Sequence, residues 1–105
     1  MSDFYDRQGN PMTLNEWGRK HQDKDYKILG STMVGDELVS TVWLGMDHGW
    51  GEGAPVIFET MIFHGPHDQW QDRYTTEEAA LAGHKRVVNA LTNGTPLPGE
   101  EAPDA

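Results

Sequence analysis

The clearest pattern in the sequence is a pair of segments rich in β-branched and aromatic residues, at positions 26–34 and 38–46. Such residues suit strands, in which successive side chains project to opposite faces of a sheet. Gly35-Asp36 lies between the two segments and has the length and composition of a tight two-residue turn. The pattern therefore predicts a β-hairpin.

A third apolar segment begins at Pro55, continues to about residue 64 and predicts another strand. Apolar side chains fall on both of its faces, which is typical of a strand inside a sheet. A shorter segment at 70–74 follows the Gly65-Pro66 break and predicts a fourth strand. Together with the hairpin, these segments predict an antiparallel sheet of three to four strands.

A short helix is predicted ahead of the sheet, over residues 13–21. Thr13 and Glu16 have the spacing of a capping box, in which each side chain accepts from the backbone N–H of the other residue. We expect Leu14 and Trp17 on the inward face of this helix. The residues before it include a Gly-Asn-Pro sequence and are interpreted as a turn-rich lead-in.

A longer C-terminal helix is the strongest helical pattern in the chain. It begins at a second capping-box pattern, at 75–78, and Asn93-Gly94 followed by prolines ends it. We expect it to pack on the sheet through a stripe of residues at helical spacing. The stripe consists of Ala80, Leu81, His84, Val87, Val88 and Leu91.

The order of these elements predicts an α+β fold, with the long C-terminal helix packed on the sheet and the short helix at the N-terminus. A length of 105 residues fits one domain. We assign residues 1–95 to that domain. Residues 96–105 are rich in proline and acidic residues and are predicted to form a disordered acidic tail.

The charge of the chain narrows the classes of partner. Seventeen acidic and eight basic residues give a net charge of −9. This charge repels phosphate backbones and anionic lipid heads, so neither direct nucleic-acid binding nor membrane binding is expected. An acidic protein can instead occupy a basic groove on a partner that normally holds nucleic acid.

The compartment expected from the sequence is the cytoplasm. The chain contains no cysteine, which excludes disulfides and thiolate zinc sites and suits a reducing environment. The N-terminal residues lack the basic and apolar regions of a signal peptide. No apolar stretch in the sequence has the length of a membrane span.

A series of short motifs runs through most of the chain. The motifs are Ser-Thr-Val-Trp-Leu-Gly at 40–45, Asp47-His48, Ile-Phe-Glu-Thr-Met at 57–61, Arg73-Tyr74 and Gly83-His84. Through these motifs the chain resembles a family of short uncharacterised proteins of actinobacterial phages, prophages and their hosts. The resemblance implies a phage or prophage origin, with expression in the host cytoplasm, and it implies no catalytic residue.

The glycine-rich segment 45–53 is the candidate binding loop. Its glycines permit unusual backbone angles and the close approach of a ligand. A tryptophan flanked by glycines is a natural interface anchor. The alternative is a flexible strand connection, in which the polar residues form local turn hydrogen bonds. The candidate binding residues are Asp47, His48, Trp50 and Glu52 from this loop, together with Glu59.

Glu59 has a setting of its own, in the middle of a predicted strand on a largely apolar face. A lone carboxylate is costly there unless it is paired. Arg73 or Lys27 can supply the partner of an ion pair. The alternative is a general base with a raised pKa in a pocket.

Metal-assisted or nucleophilic chemistry has little support in the sequence. Imidazole and carboxylate groups can bind metals, but no spacing brings three of them together, so no metal or cofactor is predicted. A Gly-x-Ser-x-Gly elbow is also absent from the sequence. The groups considered are His48, Glu59, His64, His67 and His84.

The function that these observations favour is non-enzymatic. The sequence predicts a small acidic phage-type accessory protein that binds a host or phage macromolecule, with a protein as partner, as an inhibitor or modulator. A version that mimics DNA requires regularly spaced acidic side chains on the surface. The alternative is a small-ligand-binding or metal-assisted enzyme that uses Asp47, His48, Glu59 and His84.

Overall fold

The protein is built on a four-stranded antiparallel sheet, and a computed structural model describes residues 3–49 and 53–100. The sheet order is β3-β4-β5-β6, and β1 and β2 form a separate antiparallel pair. This architecture confirms the predicted α+β fold. The elements are β1 (Phe4–Tyr5), β2 (Pro11–Met12), α1 (Leu14–His21), α2 (Lys24–Lys27), β3 (Ile28–Val34), β4 (Glu37–Trp43), β5 (Phe58–Phe63), β6 (Gln71–Tyr74) and α3 (Glu77–Asn93).

The hairpin of β3 and β4 closes as predicted. Val34 pairs with Glu37 across the turn, and Gly35 takes a φ of 60°, which a glycine adopts without strain. The first strand is shorter than expected, because Asp23 caps the four-residue helix α2 by accepting from two backbone N–H groups. Tyr26 therefore lies in a helical turn, and the strand begins at Ile28.

Helix α3 covers one face of the sheet, and the core lies between them. The side chains of Val39, Trp43, Phe58 and Ile62 on that face are fully buried. The contact line of α3 consists mainly of small residues, which allow close approach of the helix to the sheet. These residues are Ala80, Gly83, Val87 and Ala90.

Two details of the predicted long helix were wrong. Leu81, expected in the stripe, is 41% exposed, because the small residues centre the contact line of the helix away from it. The helix start is also shifted by one residue, since Thr76 is the N-cap and accepts from the backbone N–H of Ala79. The predicted stop is present, with Gly94 in the left-handed conformation. None of the helices within the described ranges has the length and apolar character needed to cross a membrane.

The N-terminal elements pack around the end of β4. The capping box of Thr13 and Glu16 is present as predicted. Trp17 faces inward and donates from Nε1 to the carbonyl of Leu44 at 2.9 Å. Leu14 was also expected to face inward, but it is 61% exposed because it occupies the first, outward-facing turn of α1. The lead-in is turn-rich as predicted, and its turn joins the two short strands of the β1–β2 hairpin, which the sequence did not predict.

The chain continues to pack on the domain after α3. Leu97 is only 1% exposed and joins the core cluster formed by β4, β5 and α3. The predicted boundary at residue 95 was therefore too early, because one apolar side chain in a proline-rich segment is enough to dock it. Residues 101–105 of the predicted tail lie outside the described residues.

Candidate protein-binding surface

The described part of the candidate loop is held together by Asp47. Its Oδ1 accepts from the backbone N–H groups of Gly49 at 2.8 Å and Val56 at 2.9 Å. These bonds, the one from Val56 first, lower the pKa of the carboxyl group. The backbone N–H of His48 also donates to the carbonyl of Val56 at 2.9 Å. Asp47 therefore closes the loop, and the side chain of His48 is exposed beside it.

The other two loop residues of the predicted set, Trp50 and Glu52, lie outside the described residues. The structure describes the loop on both sides of them, as far as Gly49 and again from Gly53. On those two sides, the arrangement matches the local turn bonding that the alternative interpretation expected of Asp47. The prediction that Trp50 anchors an interface stays a prediction.

Glu59 forms the ion pair expected from its position. Its Oε2 accepts from Nε of Arg73 on the neighbouring strand at 3.0 Å. Because the two residues are directly opposite in the register of β5 and β6, the pair spans the strands without distortion. The carboxylate side chain is 13% exposed and the guanidinium side chain is 40% exposed. Glu59 is thus a paired carboxylate on a sheet face.

His84 lies on the other side of the sheet, between α3 and the strands. Its Nε2 is 2.9 Å from Oγ1 of Thr32, and its Nδ1 is 2.7 Å from Oγ1 of Thr41. Thr41 is bonded in turn to Thr60, with 2.6 Å between the hydroxyl oxygens. Burial lowers the pKa of His84, which favours a neutral ring that donates at one nitrogen and accepts at the other.

His84 and the three threonines form a polar layer between α3 and the sheet, and Tyr74 lies next to Thr60 in this layer. Its hydroxyl oxygen is buried without a well-formed hydrogen bond, although the hydroxyl of Thr60 is near enough to affect its ionisation. Burial raises the pKa of Tyr74 more than Thr60 lowers it. A Cβ atom at Gly83 would lie only 2.3 Å from this hydroxyl oxygen. The layer therefore depends on a glycine for its fit.

Glu59 and His84, two of the four residues of the alternative enzyme hypothesis, lie on opposite faces of the sheet. Glu59 is opposite Val42 in the register, and the half-buried imidazole of His84 bonds to Thr41, whose side chain projects from the other face. The sheet therefore separates the carboxylate from the imidazole. Among residues 3–49 and 53–100, no group of three or more His, Asp or Glu side chains can hold a metal ion.

The face of the sheet opposite α3 carries several exposed apolar side chains. We call it the open face, because no described helix packs on it. Three rows of side chains cross it, each at one level of the strand register. They are Ile28, Val42, Glu59 and Arg73 in the first row, Ser31, Ser40, Met61 and Gln71 in the second, and Met33, Leu38 and Phe63 in the third.

The exposed apolar side chains of the open face are concentrated in its outer rows. Met33 is 59% exposed, Ile28 41% and Phe63 38%. Leu38, Val42 and Met61 are half-buried between them. Contiguous apolar patches bordered by polar side chains mark interaction sites more often than isolated apolar residues do. The polar residues here are Gln71 and the Glu59–Arg73 pair toward β6 and two serines in the middle row.

Sequence reasoning missed this surface, although its signal was present. The apolar side chains on both faces of β5 predicted an internal strand, and no further prediction was made from them. That inference is confirmed, since β5 lies between β4 and β6. The same pattern also indicates an apolar second face, and the single long helix of the chain covers only one. Because a sheet with two apolar faces needs a cover on each, and the chain has one long helix, the sequence predicts that one apolar face stays without a helix.

Comparisons with known proteins leave the function to be argued from this geometry. No protein-family model, curated protein or solved structure matches the chain. The phage-type resemblance of its motifs therefore stays a prediction. The open face and the loop beside it are the features on which a function can be proposed.

Proposed function

We propose that this protein is a small phage-type accessory protein that binds a host or phage protein through its open face and modulates that partner. The observation that carries the proposal is the exposure of Met33, Ile28 and Phe63 on one side of a sheet whose other side is a well-packed core. Burial of apolar area is the main driving force of protein association. The site of action is the host cytoplasm.

The partner element that fits this face is an amphipathic helix. The same four strands already accept one helix, α3, on their other face. A helix from a partner would find apolar rows at the same spacing and would complete a helix–sheet–helix sandwich. The middle row, with its two small serines, leaves a shallow depression between the outer rows across β3 and β4.

The charge of the protein supports a partner with basic residues around the apolar contact. The open face contains one acidic and one basic side chain, and they are paired with each other. The net charge of −9 therefore resides on the rest of the surface, where it speeds association with a basic partner. His48 is exposed on the loop that follows β4, and this loop would flank a partner bound to the open face.

The acidic side chains support a mimic of nucleic acid less well. Many of them accept hydrogen bonds or pair with cations within the chain, so their positions follow caps and turns and not a regular spacing. We therefore favour the apolar face as the contact surface. The residues engaged in this way include Asp6, Glu16, Asp23, Glu37, Asp47, Asp68 and Glu77.

The test uses two lysine substitutions at equally exposed positions. Phe63→Lys changes the open face, whereas Leu81→Lys changes α3, and the two side chains are 38% and 41% exposed. Proteins from an actinobacterial host lysate are captured on each variant, and the affinity of each captured partner is then measured by calorimetry. We expect Phe63→Lys to weaken binding by about thirtyfold or more, as for loss of a central apolar anchor, and Leu81→Lys to leave it unchanged.

Thermal melts show that both variants are folded before binding is compared. A partner that binds the two variants equally well would refute the open face as the binding surface. The helical form of the contact is tested separately, by circular dichroism of the partner segment with and without the protein. A segment that binds but gains no helix would refute the helix and retain the surface.

A further inference from the structure

The two edges of the sheet differ in how they are protected against pairing with another strand. Natural edge strands commonly contain charged residues or proline, or are short. β6 follows this rule, since it has four residues and two of them, Asp72 and Arg73, are charged. β3 has seven residues and contains neither a charged residue nor proline. Within the described residues, β3 pairs with β4 alone.

The exposed apolar side chains also point to the β3 edge. Two of the three most exposed ones on the open face, Met33 and Ile28, belong to β3. The register irregularity between Ile28 and Gly30 blunts the start of this edge, and residues 30–34 pair with β4 in regular register. In an edge strand, the backbone N–H and C=O groups of every second residue point away from the sheet and have no partner strand. β3 therefore offers both unpaired backbone groups and apolar side chains.

The charges at the two ends of β3 have opposite signs. Lys27 lies immediately before the strand, where Lys24 and Asp25 offset each other in charge, and Asp36 is the first charged residue after the strand. A second β3 that runs antiparallel brings the basic end of each copy beside the acidic end of the other. A parallel strand would instead align like charges. The opposite charges at the two ends of β3 therefore favour antiparallel pairing with β3 of a second copy.

We propose that two copies of this chain associate by antiparallel pairing of β3 with β3, around a two-fold axis near Thr32 at the middle of the regular segment 30–34, to form one continuous eight-stranded sheet. In this arrangement Lys27 of each copy lies near Asp36 of the other. The two open faces become one surface on the same side, and both α3 helices lie on the opposite side. The inference is independent of the identity of any partner protein.

Sedimentation of the full chain over a range of concentrations is the first measurement. We expect a reversible monomer–dimer equilibrium. Lys27→Glu or Asp36→Lys alone should weaken the dimer about tenfold, because each places like charges at both symmetry-related contacts. The double variant Lys27→Glu/Asp36→Lys restores opposite charges and should restore the wild-type dissociation constant. Lys85→Glu on α3 makes the same change in net charge as Lys27→Glu and should have little effect.

Hydrogen exchange supplies a second measurement that does not depend on charge. Protection of the β3 amides should rise with protein concentration, while that of β6 should not. A chain that remains monomeric at every concentration would overturn the proposal. So would a dimer that Lys27→Glu and Lys85→Glu weaken equally, or one that the double variant fails to restore. Phe63→Lys should leave the dimer intact, so failure of this inference is distinct from failure of the proposed function.

Discussion

At the scale of single residues, the imidazole of His84 is the most consequential group in the interior. It bonds to two threonine hydroxyls while burial lowers its pKa from the ordinary value of 6.5. The unfolded chain therefore binds a proton at His84 more readily than the folded protein does. By linkage, the stabilisation that the neutral ring contributes is complete above about pH 6.5. It decreases as the pH falls from that value toward the lowered folded pKa.

We predict that His84→Gln reduces the pH dependence of stability. Gln keeps a side chain that can donate and accept, but it does not titrate. The fall in melting temperature between about pH 7.5 and 5.5 should be smaller in His84→Gln than in the wild type. His21 contributes in the same direction, because burial first and Lys27 second lower its pKa. Some pH dependence will therefore persist.

The control for this experiment is His48→Gln, in which an exposed histidine is removed. Its effect on the slope of melting temperature against pH should be smaller than that of His84→Gln, because an exposed side chain contributes less to folding than a half-buried one. Equal slopes for His84→Gln and the wild type would contradict the prediction. Asp47 does not interfere, because its lowered pKa belongs to a carboxyl group, and its contribution is lost only in the acid range below about pH 4.

Two glycines in helices are expected to respond oppositely to alanine. At Gly83 a Cβ would meet the buried Tyr74 side chain at 2.3 Å, whereas at Gly18 nothing lies within 4 Å of it. Gly83→Ala should lower the free energy of unfolding by about 1–3 kcal/mol through overpacking, less the gain of up to about 1 kcal/mol in helix propensity. Gly18→Ala should raise it by about 0.5–1 kcal/mol.

Urea denaturation of both variants measures the difference directly. A similar stabilisation by both substitutions would mean that α3 can move away from β6 at little cost. In that case the close approach at Gly83 would not be a constraint on the fold. Opposite signs would identify Gly83 as the residue that sets the separation of helix and sheet at Tyr74.

At the scale of elements, the segment 94–100 after α3 packs on the core through Leu97; we call this segment the clasp. Leu97 is buried against the cluster formed by β4, β5 and α3, and Glu100 donates its backbone N–H to the Leu97 carbonyl at 2.8 Å. We predict that Leu97→Ala lowers the free energy of unfolding by about 2–4 kcal/mol, as for other buried leucines. Chemical denaturation checks this value.

Removal of residues 99–105 is the matched comparison for Leu97→Ala. It retains the buried side chain, so the melting temperature should change by no more than about 2 °C. A large fall on this truncation would move the edge of the folded domain beyond residue 98. A negligible effect of Leu97→Ala would mean that the clasp contributes little to stability.

Local sequence signals predicted those elements whose boundaries are set by local chemistry. The Gly35 turn, the Thr13 capping box and the Gly94 stop were all identified, because each depends on a few adjacent residues. The β1–β2 pair was missed since two residues per strand leave no periodic pattern. The tertiary position of Leu97 was missed because a single apolar residue carries no periodicity at all.

The candidate site illustrates the same limit. The sequence predicted an ion pair for Glu59 with Arg73 or Lys27, since a carboxylate in mid-strand requires a partner, and the structure shows that Arg73 is that partner. The sequence did not predict that Glu59 and His84 lie on opposite sides of the sheet. The alternation of side chains along a strand defines two faces, but it does not indicate which face a helix will cover. That choice depends on the packing of α3, which no local pattern specifies.

At the scale of the whole molecule, the covering of the sheet is one-sided. The N-terminal elements pack around Trp43, on the same face as α3. Arg7 reinforces this side by pairing with Glu77 at the start of α3. The described N-terminal elements and α3 thus cover the same side of the sheet, and no described helix covers the open face. This asymmetry explains why association is the function that we favour.

The order of the elements along the chain also has a consequence for translation. The strands β3 to β6 emerge from the ribosome before α3, and Leu97 emerges later still. Until then the core face of the nascent sheet lacks α3, and its uncharged edge strand is exposed to neighbouring chains. The excess of acidic side chains opposes non-specific association of these incomplete chains during this interval. The negative charge of the protein is therefore most protective while its last helix is still being synthesised.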